Sequence, residues 1–456
     1  MIHKFNLLGD NIVLDVYSGA VHVVDDCLYD MLDCPLKDGV PDITKLKPGY
    51  TREQVEEALS DIATLKEQGM LFSEDEYGTC IKNLNQESVV KALCLHVAHD
   101  CNLRCEYCFA GTGSFCGKRS LMDAETGKAA IDFVIKNSGK RKNIEIDFFG
   151  GEPLMNLDVV REITTYAKEQ GKRHGKNFRF TITTNGMLLD ESAKDFINEN
   201  MSNVVLSIDG RKNVNDRVRK SLNGESVYDA IVPRFIDLAD SRGQDNYYVR
   251  GTFTAYNLDF AEDVMHLANL GFEQISVEPV VEKETFKSAI RPEHLPKIYE
   301  EYEKLAREYV ERKRSDKPFS FFHFMVDLSQ GPCVLKRLRG CGAGSEYLAV
   351  TPDGELYPCH QFVGHEEYLM GNVFDGRLDH KIKDEFERSN VYTKSACADC
   401  WAKFYCSGGC QANAYQFNGD ITKPHELSCQ LQRKRTECAI AIEVALKGNA
   451  KCVEKD

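Results

Sequence analysis

The feature that most constrains this chain is its cysteine usage. Eighteen cysteines stand among 456 residues, and ten of them fall into ordered, closely spaced runs. Cys101, Cys105 and Cys108 are spaced C-x3-C-x2-C. Cys341, Gly354 and Cys359 read C-x12-G-x4-C, and Cys397, Cys400, Cys406 and Cys410 read C-x2-C-x5-C-x3-C, with Cys429 beyond them. A secreted disulfide scaffold would be shorter and would carry an export signal. The opening Met1-Ile2-His3-Lys4-Phe5 has no basic segment followed by an apolar one, so it does not read as a signal. In a reducing cytoplasm, where this chain is expected to reside, such runs read as ligands of metals or clusters. Zinc is the alternative, because paired C-x2-C units recur in zinc ribbons.

Composition closes off other classes. Hydrophobic and charged contents of 42% and 28% belong to a globular protein. No run of about eighteen apolar residues indicates a membrane span. A formal net charge of −14 opposes general nucleic-acid binding, which needs cationic surface.

Three regions separate by pattern. Residues 1–85 begin with strand-like stretches at Phe5–Leu8, Asn11–Tyr17 and Ala20–Val24, joined at Gly9-Asp10 and Ser18-Gly19. Thr51 and Gln54 then form a capping box ahead of an apolar stripe of Val55, Leu59, Ile62 and Leu65, which Gly69 ends. Residues 88–315 alternate strands with helices. The expected strands are Ala92–Val97, Ile144–Phe149, Phe178–Thr183, Val204–Ile208, Tyr247–Phe253 and Ile275–Pro279. Six such units predict a partial (β/α)6 barrel in an α/β fold, with chemistry at the C-terminal ends of its strands. Residues 320–456 are rich in cysteine and glycine, and the pattern predicts few long periodic segments and little core there.

Three thiolates on one tight loop hold three irons of a [4Fe–4S] cube and leave the fourth iron open. The triplet directly follows the first barrel strand. With Tyr107 as the aromatic residue before its last cysteine, it resembles the signature of the radical S-adenosylmethionine (SAM) superfamily. Further positions agree. By this resemblance, Gly150, Gly151, Glu152 and Pro153 after the second strand hold the SAM amino group. Ser207 bonds its ribose, Arg219 pairs with its carboxylate, and Val280 flanks the adenine. Thr184-Asn185-Gly186 shapes the pocket floor. The resemblance implies reductive SAM cleavage to methionine and a 5′-deoxyadenosyl radical. For Arg219 a solvated surface charge is the plain alternative, since Arg217 and Lys220 lie beside it.

The C-terminal array resembles the SPASM domain, which carries two auxiliary [4Fe–4S] clusters. That resemblance assigns Cys341, Cys359 and Cys410 to auxiliary cluster I, and Cys397, Cys400, Cys406 and Cys429 to auxiliary cluster II, three clusters in all with the SAM cluster. Cys333 is a candidate fourth ligand of cluster I, and a substrate thiol is another. Cys27, Cys34, Cys80, Cys94, Cys116, Cys438 and Cys452 read as buried, unreactive thiols.

The N-terminal region resembles the small winged-helix-like, PqqD-like unit that recognises leader peptides by adding a strand to a sheet edge; a structural cap on the barrel is the alternative. The whole chain resembles thioether-forming maturases of the sactipeptide group, close to the clostridial "six cysteines in forty-five" type. This implies a ribosomally made cysteine-rich precursor as substrate and a donor of flavodoxin or ferredoxin type for electrons. The reaction would join a cysteine sulfur to an α-carbon. Formylglycine formation, epimerisation or carbon–carbon crosslinking on the same scaffold, or a zinc-binding interaction protein, are the rival readings. Sulfatase-maturing relatives place an acid directly after the cysteine equivalent to Cys359, and here that position is His360.

Overall fold

The computed structural model describes residues 1–37, 39–78, 88–115, 117–328 and 338–448. The first three strands, β1 (Ile2–Leu7), β2 (Asp10–Asp15) and β3 (Val21–Val24), form an antiparallel meander in that order. The β1–β2 turn is Leu8-Gly9, both with positive φ, as a two-residue hairpin that follows strand twist requires. Asp15 is buried and ties the next turn by accepting from the Ser18 and Ser73 amides. Helix α1 (Asp26–Met31) and helix α2 (Arg52–Glu67) cover one face. The capping box of Thr51 and Gln54 is formed, and both of its hydrogen bonds are present. Ala58 and Ile62 of α2 are buried against Val13, Leu28 and Met31, while Val55, Leu59 and Leu65 are only half-covered.

The barrel strands are β4 (Ala92–Ala98), β5 (Asn143–Gly150), β6 (Asn177–Thr184), β7 (Asn203–Ser207), β8 (Tyr247–Phe253) and β9 (Gln274–Pro279). They pair in parallel in sequence order, with helices in every crossover. Alternate inward positions fall in register, so Cys94 stands beside Asp147 and Asp147 beside Thr181.

Two features differ from the sequence-based expectation. The sheet does not stop at six strands. β10 (Ser320–Phe321) adds in parallel to β9, and β11 (Tyr347–Val350) adds in parallel to β4 at the opposite edge. Glu355–Tyr357, Gly371–Asn372 and Arg377–Leu378 continue from β11 to make an eleven-stranded sheet. The cysteine-rich region is therefore stitched into the barrel, and it covers a sheet edge that would otherwise leave backbone groups unpaired. That region also has a substantial core and ends in the long helix Glu426–Gly448, 23 residues, against the expectation of few periodic segments. The helix buries Leu431, Cys438, Ile440 and Ile442. It packs on Leu295–Lys313, where Lys434 meets Glu303 at 2.7 Å. Cys27, Cys34, Cys94 and Cys438 are buried thiols, as read; Cys80, Cys116, Cys333 and Cys452 lie outside the described residues.

Candidate functional site

The loop after β4 carries Cys101, Cys105 and Cys108, all half-buried. Its shape is set by its own backbone. The Cys101 amide donates to Asp100, the Cys108 amide to the Cys105 carbonyl, and Arg104 to the Cys101 carbonyl. Two glycines press against it. A Cβ on Gly151 would lie 2.0 Å from the Asp100 carbonyl oxygen, and one on Gly113 would lie 3.0 Å from the Cys101 Cβ. The three thiols are electrostatic neighbours of one another. Burial pushes Cys101 up to about 11 and Cys105 up to about 12, so cationic irons are what would draw their protons off. The donor set, three thiols lining a cavity, fits a [4Fe–4S] cluster that would keep one iron without a protein thiolate.

That cavity, of about 460 Å³, lies inside the barrel. Tyr107, Gly150, Gly151, Ser207, Arg219 and Val280 line it, together with Asn185, whose Nδ2 lies 3.6 Å from the Cys101 sulfur. The structure thus gathers most of the expected SAM residues around one space. Two are placed differently. Glu152 and Pro153 stand behind the wall, and Glu152 is fully buried. Its carboxylate accepts from Thr184 Oγ1 (2.7 Å), the Leu154 amide (3.0 Å) and the Asn185 amide (2.8 Å), so it splices the end of β5 to the end of β6. Burial raises its pKa to about 7 despite these bonds. Arg219 is no surface charge. It is 8% exposed and makes a two-point pair with fully buried Asp209, at 2.9 and 3.0 Å. Asp209 also accepts from the Tyr107 hydroxyl and the Thr252 amide, so one carboxylate fixes the arginine and the aromatic ring of the cysteine loop together.

A polar inner wall lies outside the motifs that mark the site in the sequence. Asp147, Arg250 and Glu278 line the cavity, with Arg250 ion-paired to Glu278. Burial, then Glu145, lifts Asp147 to about 6. Their signal was the period of two on the strands, which puts 147 and 149, 250 and 252, and 276 and 278 on one face. His360 lines the cavity from the C-terminal region, packed against both Phe109 and Phe149 with centroids at 5.4 and 5.1 Å. Burial lowers it to about 4, so it is neutral.

The seven C-terminal cysteines divide by proximity. Cys359 senses Cys410 and Cys341. Cys397, Cys400, Cys406 and Cys429 sense one another. The sets interleave in sequence, because Cys410 joins Cys341 and Cys359 although it is four residues from Cys406. Among the described residues no three His, Cys, Asp or Glu side chains converge as ligands of one ion would. Thiolates at the corners of a four-iron cube stand further apart than that. A second cavity, about 260 Å³, lies beside Cys406, Cys410 and Cys429, and Glu278, Pro279 and Val281 wall both cavities. No helix among the described residues is long and apolar enough to cross a membrane.

Comparison with known proteins agrees with this geometry. Residues 95–267 match the radical SAM superfamily, and residues 341–401 match SPASM, an iron–sulfur cluster-binding domain. An uncharacterized protein of Methanocaldococcus jannaschii is 31% identical over 298 residues, covering 63% of this chain and 90% of that protein. The cysteine-type anaerobic sulfatase-maturating enzyme of Clostridium novyi is 25% identical over 333 residues, covering 69% and 86%. The radical SAM cyclopropyl synthase TigE of Paramaledivibacter caminithermalis is 21% identical over 373 residues, covering 77% and 74%. Two solved structures share the fold: anSMEcpe with bound AdoMet, with TM-score 0.64, 21% identity and coverage of 78% and 98%; and Streptococcus suis SuiB bound to S-adenosylmethionine, with TM-score 0.52, 17% identity and coverage of 94% and 98%. The chain belongs to the radical SAM superfamily, as an enzyme whose C-terminal region is a SPASM iron–sulfur domain.

Proposed function

We propose that this enzyme joins a cysteine sulfur to an α-carbon within a ribosomally made, cysteine-rich peptide, using three [4Fe–4S] clusters and SAM. The observation that carries the reading is the junction at Cys359. This thiol belongs to the three-cysteine set, and the two residues after it, His360 and Gln361, line the barrel cavity. Cys341, Cys359 and Cys410 would hold a cluster with one iron left without a protein thiolate, and such an iron would supply a binding point for a substrate thiol.

SAM and its cluster supply hydrogen-atom abstraction; the protein supplies placement. Cys101, Cys105 and Cys108 would hold the cluster, and the Gly150-Gly151 backbone approaches their loop closely because neither residue has a Cβ. Asp209 holds Arg219 and Tyr107 in position at the wall. Neutral His360, packed against Phe109 and Phe149, lines the cavity where an acid is absent. Holding two groups near contact accounts for much of such a step.

Residues 1–85 serve in this reading as the winged-helix-like, leader-recognition domain. Support comes from the edge strand β3 with Val23 exposed, and from the half-covered stripe of Val55, Leu59 and Leu65 on α2. SuiB, which shares the fold over 92% of this chain, has been captured with its precursor peptide SuiA. The physiological electron donor would be of flavodoxin or ferredoxin type. A second reading is formylglycine formation, favoured by the likeness to the sulfatase-maturating enzyme.

The test is anaerobic incubation with SAM, dithionite and a cysteine-rich precursor, followed by product mass and thiol counting. A thioether removes two hydrogens and one alkylatable thiol. Formylglycine from serine removes two hydrogens and leaves every thiol, whereas formylglycine from cysteine removes two hydrogens, replaces sulfur by oxygen and so removes one thiol. Epimerisation leaves the mass unchanged. Deoxyadenosine with an unmodified peptide would overturn the proposed substrate class.

A further inference from the structure

The chain passes from one auxiliary cysteine set to the other between Cys406 and Cys410. Ser407, Gly408 and Gly409 all take positive φ there, at 61°, 84° and 72°. Three consecutive left-handed residues reverse the chain, so that Cys406 and Cys410 fall into different sets. The Gly408 carbonyl, at the centre of this reversal, accepts a hydrogen bond from Lys394 Nζ at 2.8 Å. Lys394 is 2% exposed, and among the described residues this carbonyl is its hydrogen-bond partner. It lies three residues before Cys397, and its backbone amide donates a hydrogen bond to the Asn390 carbonyl. A Cβ on Gly408 would meet Nζ at 3.5 Å, an ordinary contact, so it is the positive φ of 84° that favours glycine here.

A buried ammonium with one neutral acceptor is costly unless negative charge lies near it. Burial lowers the Lys394 pKa, and cysteines of both sets, Cys397, Cys406 and Cys429 of one and Cys410 of the other, oppose that fall; as cluster-bound thiolates they would supply the negative charge. Arg433 and Arg435 also neighbour the four-cysteine set, through Cys400 and Cys406 respectively. Arg433 is held by Glu426 at 3.2 Å, and Arg435 donates to His323 Nδ1 at 3.1 Å. Arg435 also lines the cavity beside Cys406, Cys410 and Cys429, whereas Lys394 bonds the chain reversal itself, at the Gly408 carbonyl between Cys406 and Cys410.

We propose that Lys394 is a shared buried counter-charge for the two auxiliary clusters, a positioning residue that raises the reduction potential of both. The proposal rests on the assignment of two auxiliary clusters to these seven cysteines. Reduction adds one negative charge to a cluster, and a fixed cation in a low-dielectric interior favours that reduced form.

The experiment compares the anaerobically reconstituted full chain with its K394M, K394Q and K394R variants. Iron and sulfide are counted first, and then the auxiliary clusters are titrated potentiometrically with EPR detection. In iron-replete K394M the reduced-to-oxidised ratio of both auxiliary signals at fixed potential should fall about tenfold, and K394R should restore most of it. Unchanged titrations in K394M, a shift in only one auxiliary signal, or K394R behaving as K394M would overturn the proposal. Should the neutral variants lose auxiliary iron, retention by K394R supports the charge, and equal loss by K394R sinks it. If the parent protein itself holds iron for the first cluster alone, the two-cluster assignment fails instead, and the count distinguishes that case.

Discussion

His3 lies flat against Trp401, with ring centroids 3.7 Å apart and planes 4° from parallel. The first strand thus rests directly on the loop between Cys400 and Cys406. Around this stack, Lys403 Nζ sits 4.8 Å from the Tyr17 ring and 5.0 Å from the Tyr392 ring, and pairs with Asp75 at 3.5 Å. Tyr17 and Tyr77 meet Phe404 edge-on, and His3 Nε2 reaches Glu437 at 3.0 Å. The unit proposed to grip a leader and the loop of the four-cysteine set therefore share one packed face. Trp401 is the only tryptophan in the chain, so its emission reports this face. His3→Ala should shift the emission to the red and increase quenching by acrylamide. It should cost roughly 0.5–1.5 kcal/mol beyond the lost area. An unchanged spectrum would show that the stack does not persist in solution.

The interleaving of the cysteine sets makes a second expectation. Cys101→Ala, Cys105→Ala or Cys108→Ala should abolish deoxyadenosine formation while leaving about eight irons per chain. Cys410→Ala should lose the same spectroscopic cluster as Cys341→Ala and Cys359→Ala, and a different one from Cys406→Ala, its neighbour in sequence. Mössbauer or EPR spectra of the single variants decide this. If Cys410→Ala matched Cys406→Ala, the assignment of sets would be wrong.

Asp209 and Arg219 illustrate how a buried pair fails when cut in half. Asp209→Ala leaves the guanidinium without its two-point partner and the Tyr107 hydroxyl without its acceptor. A loss of roughly 3–5 kcal/mol in unfolding free energy is expected, because an uncompensated charge is left inside. Arg219→Lys keeps the charge but cannot span both oxygens, so it should be milder in stability and still impair SAM binding. Chemical denaturation together with SAM-binding titration checks both. Equal stabilities for the parent and Asp209→Ala would contradict the geometry.

How much of this was legible in the sequence follows from where each signal lies. The six parallel strands were found within one or two residues, because buried runs such as Tyr247–Phe253 are bounded by turns or by polar helix starts. The Thr51–Gln54 box was legible because both of its bonds are local. The pairing of Tyr347–Val350 with Ala92–Leu95 was hidden, since no local pattern links residues some 250 positions apart. The helix Glu426–Gly448 was missed because its buried positions hold Cys438, Ala439 and Ala441, whose small side chains blur an apolar stripe. The cysteine sets were readable as types and spacings, and their division was implied by resemblance. The partner of Arg219 was not, because nothing in the local pattern marks Asp209, ten residues before it, as its counter-ion. Glu152 followed the same logic, as its motif gave its place in the chain and its hydrogen bonds turned it away from the cavity.

Glu152 also carries the pH expectation. Its folded pKa, about 7, lies above the ordinary 4.5, so the folded state holds a proton that the unfolded state releases. Stability contributed by this group is therefore greatest below pH 4.5 and declines as pH rises to about 7. Asp147, raised to about 6, acts in the same sense, and neutral His360, lowered to about 4, acts in the opposite sense below 6.5. Those contributions are common to the parent and a Glu152 variant, so their difference isolates Glu152. Glu152→Gln presents only one oxygen to the two backbone amides of Leu154 and Asn185. It should lose about 1–3 kcal/mol for the amide left without an acceptor. Its stability should fall less steeply than the parent's between pH 5 and pH 7, in denaturant titrations at each pH. Parallel slopes for the two proteins would mean that Glu152 is ionised throughout that range and that its three hydrogen bonds outweigh its burial.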